Sequence, residues 1–326
     1  PGRSTTRRLR SHTLGAVNRP PDEHRTADVR RRLSLLLRTA AAAVAVFIAN
    51  YWFFVRTTIG QELDEAALAG AELEPQGVIT EAWDELDVIS VASLAGVCVV
   101  IGVIAVLRRR FALAFAALAT VGIANVATQL LKRVILPRPD LIGAGDLNSL
   151  PSGHATVAAT VSVGLVMVTA PRWRSITALV TMLFPISIAV AVVTASWHRP
   201  SDSIAAFCVV LAVATCTLAA AIALFGFDPG LVLPNWFRRS VLALIGLAIV
   251  VLGGLGLAGL VAVRSQLDSG PLSTRWESVA YASSSAGITA SALVMTLSLV
   301  VLMRGMAVGH GGWNGTTEAE PDRGVT

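Results

Sequence analysis

Eight stretches of mostly apolar residues, at roughly 39–57, 88–107, 111–131, 155–170, 176–197, 203–225, 240–262 and 285–303, dominate this chain of 326 residues. An α-helix needs about 20 such residues to cross a bilayer. The pattern therefore predicts an all-α polytopic membrane protein with eight candidate helices. The fourth run is short and opens on the polar stretch Pro151–His154, which places its start in the interfacial region. The last two runs are set apart by Gly226–Arg239, with Pro229 and Pro234, and read as a two-helix hairpin appended to a six-helix core. The expected organisation is a basic disordered tail at 1–38, a six-helix membrane domain at 39–225, the hairpin at 226–303 and a second disordered tail at 304–326. Gly253, Gly254, Gly256 and Gly259 give the seventh run a small-residue surface suited to close helix packing.

An apolar fraction of 54% against 14% charged residues fits this class. The net charge of +5 does not indicate a nucleic-acid partner, because ten arginines fall within residues 1–38, ahead of the first apolar run. That placement suits a cytoplasmic tail that orients the chain and meets anionic lipid. Positive residues concentrate in cytoplasmic loops. Arg108–Arg110, Arg172 with Arg174, and Arg238 with Arg239 mark alternate connections as cytoplasmic. The first loop instead carries Glu62, Asp64, Glu65, Glu72, Glu74, Glu81, Asp84, Glu85 and Asp87 against the single Arg56. Both termini are thus expected inside and the acidic loop outside, with the connections at 132–154 and 198–202 on its side. Cys98, Cys208 and Cys216 lie inside apolar runs and read as small hydrophobes, without disulfide or metal spacing.

Those two outer connections hold the one lysine of the chain, Lys132, and the two histidines of its apolar body, His154 and His198. Ionisable groups at a membrane edge mark function by default. In Pro151-Ser152-Gly153-His154, Gly153 allows close backbone approach, and the following helix N-terminus points N–H groups at an anion. His154 suits a proton donor near neutral pH. The alternative is a capped turn with an interfacial histidine. In His198-Arg199-Pro200-Ser201-Asp202, the four-residue spacing lets Asp202 hold one imidazole nitrogen and leave the other as a nucleophile. The alternative makes Asp202 a helix cap. Lys132 and Arg138 offer a point charge and a planar fork to phosphate oxygens, or else snorkel at the interface.

Taken together, Lys132…Arg138-Pro139, Pro151-Ser152-Gly153-His154 and His198-x-x-x-Asp202 resemble the three-part signature of the type 2 phosphatidic acid phosphatase family. The resemblance covers about 39–225 and implies a six-helix phosphatase core. His198 is then the nucleophile that forms a phosphohistidine, Asp202 its orienter and His154 the acid for the leaving group. Lys132, Arg138, Ser152 and Gly153 hold the phosphate, with no cofactor and no metal. Two departures stand out. Five residues rather than six separate the lysine from Arg138-Pro139, and Leu131 occupies the usual lysine position. The third motif has Ala191-Val192 where the family has Ser-Arg, so a cation is missing; Arg133 and Arg199 are the available substitutes, and Arg199 is the one expected to bind phosphate.

The reading that follows is a membrane lipid phosphatase of the extracytoplasmic face of the cell membrane, acting on a lipid phosphomonoester or pyrophosphate. A phosphotransferase and a non-catalytic lipid-phosphate binder are the alternatives. A transporter ranks below them, because no ionisable chain continues through the helix centres.

Overall fold

The computed structural model describes residues 21–87, 89, 91–107, 111–145, 147–229 and 236–308. The first helix, α1 (Pro21–Asn50), runs into a π-turn at Tyr51–Val55. Two polar helices follow, α2 (Thr58–Glu72) and α3 (Gln76–Asp87). Next come α4 (Val91–Leu107) and α5 (Phe111–Leu130), the latter ending in a second π-turn at Leu131–Ile135. Beyond a long connection lie α6 (Gly153–Val168), α7 (Arg174–Thr181), α8 (Leu183–Thr194) and α9 (Pro200–Phe225). The chain closes with α10 (Trp236–Leu267) and α11 (Thr274–Leu302). Two three-residue strands, β1 (Phe227–Pro229) and β2 (Met306–Val308), pair antiparallel after α9 and α11.

Within the described residues each expected apolar run is mainly helical. Among the described residues, six helices are long and apolar enough to cross a bilayer: Thr26–Val55, Phe111–Ile135, Arg174–Thr194, Pro200–Phe225, Arg239–Leu267 and Thr274–Leu302. Two are shorter, the apolar part of α4 at Ala95–Ile104 and α6 at Gly153–Val168. At 16 residues and 1.5 Å per residue, α6 is about 24 Å long. The break between α7 and α8 at Met182 has a local cause. Pro185 has no N–H for the carbonyl of Thr181, and its ring crowds the preceding turn.

The membrane core is built around α9, whose Ala205, Ala206, Val210, Ala214, Leu218 and Ala221 are fully or almost fully buried. It packs against α1, α5, α6 and α11. The small side chains bring neighbouring backbones close, and threonine hydroxyls bond between helices: Thr120 to Thr217 at 2.7 Å and Thr128 to Thr156 at 3.0 Å.

Three boundaries differ from expectation. Of the tail placed at 1–38, the part from Pro21 onward is helical and belongs to α1. Its Leu36 is buried, and Arg32 donates to the carbonyls of Leu302 and Arg304 at 3.2 and 2.9 Å. A basic stretch reads as a tail by composition, but these carbonyls at the end of α11 give Arg32 a partner. At the other end, the tail placed at 304–326 begins with β2, which pairs with β1; residues 1–20, 309–326 and Arg108–Arg110 lie outside the described residues. The hairpin is not an appendage either. The second helix, α11, packs on α2, α8 and α9 as well as on α10. Tyr281 of α11 shares a 2.8 Å hydroxyl bond with Thr194. Gly70 of α2 lies so close to the Glu277 carbonyl of α11 that a side chain there would collide with backbone. The small-residue surface of α10 does serve packing: a Cβ at Gly256 would stand 2.9 Å from the Ser283 carbonyl of α11.

Candidate active site

The connections at 132–154 and 198–202 meet α2 of the acidic first loop at one end of the bundle. There α8 ends at Thr194, and the chain turns through Ser196, held at φ 55. Both Trp197 N–H and His198 N–H donate to the Val192 carbonyl at 3.0 Å. This turn delivers His198 just ahead of Pro200, the first residue of α9, where a proline costs no hydrogen bond. His198 Nδ1 lies 3.0 Å from Asp202 Oδ2, which also accepts the Arg199 N–H at 3.0 Å. Asp202 is fully buried, and His198 is 8% exposed. The carboxylate thus fixes the ring through Nδ1 and leaves Nε2 for chemistry.

The second motif is fastened to the third through its backbone, as Ser152 N–H donates to the Asp202 carbonyl at 3.0 Å. Ser152 caps α6, its hydroxyl accepting from Ala155 N–H at 3.4 Å. Protein packing does not require a glycine at 153, because an added Cβ would meet only Gln129 Nε2 at 3.5 Å, an ordinary contact. That space is open to a ligand. The His154 ring leans on Trp197, centroids 5.5 Å apart, within electrostatic reach of His198 and Lys132. Lys132 is in turn within reach of Asp202.

The first motif runs through an irregular turn at the end of α5. Leu131–Ile135 forms a π-turn, closed by Leu136 N–H to the Leu131 carbonyl at 3.0 Å. A π-turn holds one more residue than an α-turn and so rephases the side chains beyond it. Lys132 faces the site, while Arg133 is exposed. Asn148 then ties the connection together, its Nδ2 donating to the carbonyls of Lys132, Leu136 and Leu150 at 3.2, 2.9 and 3.0 Å. Arg138 is 5% exposed, and its Nε and Nη2 have no hydrogen-bond partner among the described residues. Burying guanidinium donors unpaired is costly. They are placed to receive an anion.

Arg199 lies beside them. Its Nε and Nη2 both reach Glu65 Oε1 at 2.6 Å, and its Nη1 reaches Ser149 Oγ at 3.4 Å. Arg138 Nη2 is 3.9 Å from the same Glu65 oxygen. Val192, where the family's arginine is missing, is fully buried, and its carbonyl holds the 196–198 turn. The sequence-derived residues Lys132, Arg138, Ser152, Gly153, His154, His198, Arg199 and Asp202 therefore gather at one end of the bundle, whereas Arg133 stays outside.

Sequence reasoning missed the contribution of α2 and the end of α1. Asp64 is fully buried, and its carboxylate accepts from Ser201 Oγ at 2.5 Å and Ser201 N–H at 3.3 Å. Burial pushes the Asp64 carboxyl up to about 7, the Ser201 bonds offsetting part of that cost. Gln61 Nε2 donates to the carbonyls of Val55 and Pro139 at 2.8 and 2.7 Å, and Tyr51 donates to the Pro137 carbonyl at 2.7 Å. Asn50 donates to the Ser201 carbonyl at 3.0 Å. The available signal was charge: an acidic loop on the same expected side as two cationic ones.

Cations converging on a His–Asp pair at one end of a helical bundle make a setting suited to an anionic group. Residues 111–226, from the start of α5 to the end of α9, match the family model of the PAP2 superfamily. The chain thus carries a PAP2 superfamily domain at residues 111–226, and that stretch contains all three motifs. No curated protein and no solved structure matches the chain.

Proposed function

We propose that this protein is an integral membrane lipid phosphatase that cleaves a phosphomonoester or pyrophosphate of a membrane lipid through a phosphohistidine intermediate. His198 Nε2 attacks phosphorus, the bond to the lipid-side oxygen breaks, and that oxygen takes a proton from His154. Water then attacks the phosphohistidine, the P–N bond breaks, and inorganic phosphate leaves. Asp202 fixes the ring tautomer through Nδ1 and stabilises the imidazolium form. Lys132, Arg138, Arg199 and the α6 N-terminus at Ser152–Gly153 hold the oxygens on which negative charge builds. The arginine alternation supports an active site on the extracytoplasmic face of the cell membrane with both termini inside.

One observation carries the reading. The buried Arg138 fork, with donors lacking partners, lies in the same cluster as a histidine already oriented by a buried carboxylate. The experiment is phosphate release from a panel of lipid phosphates by purified protein in detergent, with and without a metal chelator and vanadate. Turnover is expected to survive the chelator, stop with vanadate and vanish in His198→Ala. Full activity in His198→Ala overturns the account. A phosphoenzyme burst that needs an added acceptor to turn over would indicate a transferase, and lipid-phosphate binding with no phosphoenzyme would indicate a binding protein.

A further inference from the structure

We propose that Glu65 is a counter-anion built into the phosphate site and makes it selective for a phosphomonoester over a diphosphate. The proposal rests on the phosphatase reading above and adds the substrate class to it. A single carboxylate oxygen, Glu65 Oε1, sits 2.6 Å from two nitrogens of Arg199 and 3.9 Å from Arg138 Nη2. Two guanidinium groups converging on one oxygen is the arrangement that a phosphate oxygen takes between arginine forks. Arg138 and Arg199 are also close enough to repel each other, so the empty site needs a negative charge at that place.

Glu65 supplies it from the solvent side. Its side chain is 31% exposed, against 1% for Arg138 and 13% for Arg199, so it stands at the mouth of the cluster rather than at its floor. The neighbouring acid Asp64 is occupied with both donors of Ser201, and Asp202 with His198 and the Arg199 N–H. Glu65 is therefore the acid that faces an incoming ligand. It offsets part of the positive charge of Arg138 and Arg199 at the solvent side, while Asp202 lies within reach of Lys132 and Arg138 deeper in the site. A diphosphate brings a further negative group into the same cluster, where Glu65 already stands between Arg138 and Arg199. Like charges a few ångströms apart in a partly buried site repel appreciably.

The test uses the full chain purified in detergent, titrated with inorganic phosphate and with pyrophosphate by calorimetry. The ratio of the two affinities is the readout. Glu65→Gln is expected to tighten pyrophosphate binding on the order of two- to fivefold, the scale of a partly exposed charge pair, and phosphate binding by less. The ratio then moves toward pyrophosphate. Glu65→Asp, which keeps the charge but withdraws the oxygen from Arg199, is expected to move the ratio the same way by a smaller factor, and stands in if the glutamine variant does not fold. An unchanged ratio in the folded variants, or one that moves toward phosphate, overturns the role of Glu65 and leaves the phosphatase reading standing. If neither anion binds the wild-type protein, the phosphate site itself is refuted and this proposal with it.

Discussion

Gly153→Ala separates the structural and chemical demands on the second motif, because the two push in opposite directions. Gly153 opens α6 with an ordinary negative φ, and an added methyl would touch only the end of Gln129, at 3.5 Å. Replacing a glycine in a compatible conformation restricts the unfolded chain and stabilises by about 0.4–1 kcal/mol. The folded protein should therefore melt no lower than wild type, and higher by roughly 2 °C if the full gain appears. Activity should move the other way. The methyl would occupy the space in which a phosphate oxygen approaches the helix N-terminus, and a displacement of about 1 Å from reacting geometry costs roughly a hundredfold. The assay is thermal unfolding and the initial rate of phosphate release on one preparation. Full activity with raised stability would show that no ligand comes near this backbone. Loss of both would show that the glycine is structural and that its open surroundings mislead.

Three further outcomes follow from named contacts. Arg199→Ala should lower turnover by about a hundredfold, the usual cost of removing one fixed donor to a charged transition state; Arg133→Ala, at an exposed position, should cost far less, and equal small effects would mean that the site works with Lys132 and Arg138 alone. The Asp64 carboxyl is raised from 3.8 to about 7 by burial, so its contribution to stability is fully present below about 3.8 and is lost as pH rises to about 7. Protection against hydrogen exchange at Ser201 and along α2, relative to the intrinsic rate at each pH, should accordingly fall across that window in wild type and stay flat in Asp64→Asn; a flat wild-type protection profile refutes the assignment. In a background lacking Cys98, Cys208 and Cys216, Leu147→Cys should react with an impermeant thiol reagent on intact cells and Arg172→Cys should not, whereas the reverse pattern would put the active site in the cytoplasm.

What was legible in the sequence was whatever depends on local pattern. Each apolar run became a helix because about 20 apolar residues in lipid have few other ways to satisfy their backbone. The eight motif residues could be named because their chemistry is rare in such a chain: one lysine and two histidines in the apolar body, beside prolines that stop and start helices. That Arg199 lies in the motif cluster was also readable, since it directly follows His198. The geometry adds a contact that the sequence could not supply. Val192 is fully buried, and its carbonyl anchors the 196–198 turn that delivers His198.

The acidic loop was not legible, and the reason is physical. Glu62, Asp64 and Glu65 look alike in a sequence, as solvated carboxylates on an exposed connection. Their fates diverge only once α2 lies across the end of α9: Asp64 is sealed against Ser201, and Glu65 points between two guanidinium groups. That crossing depends on α11, which lies against α2 where Gly70 meets the Glu277 backbone, some 200 residues along the chain. The hairpin that sequence spacing set apart from the core is therefore part of what positions Glu65. A cut at the 226 boundary should loosen α2 and disturb the arginine cluster, although every motif residue would remain in the shortened chain.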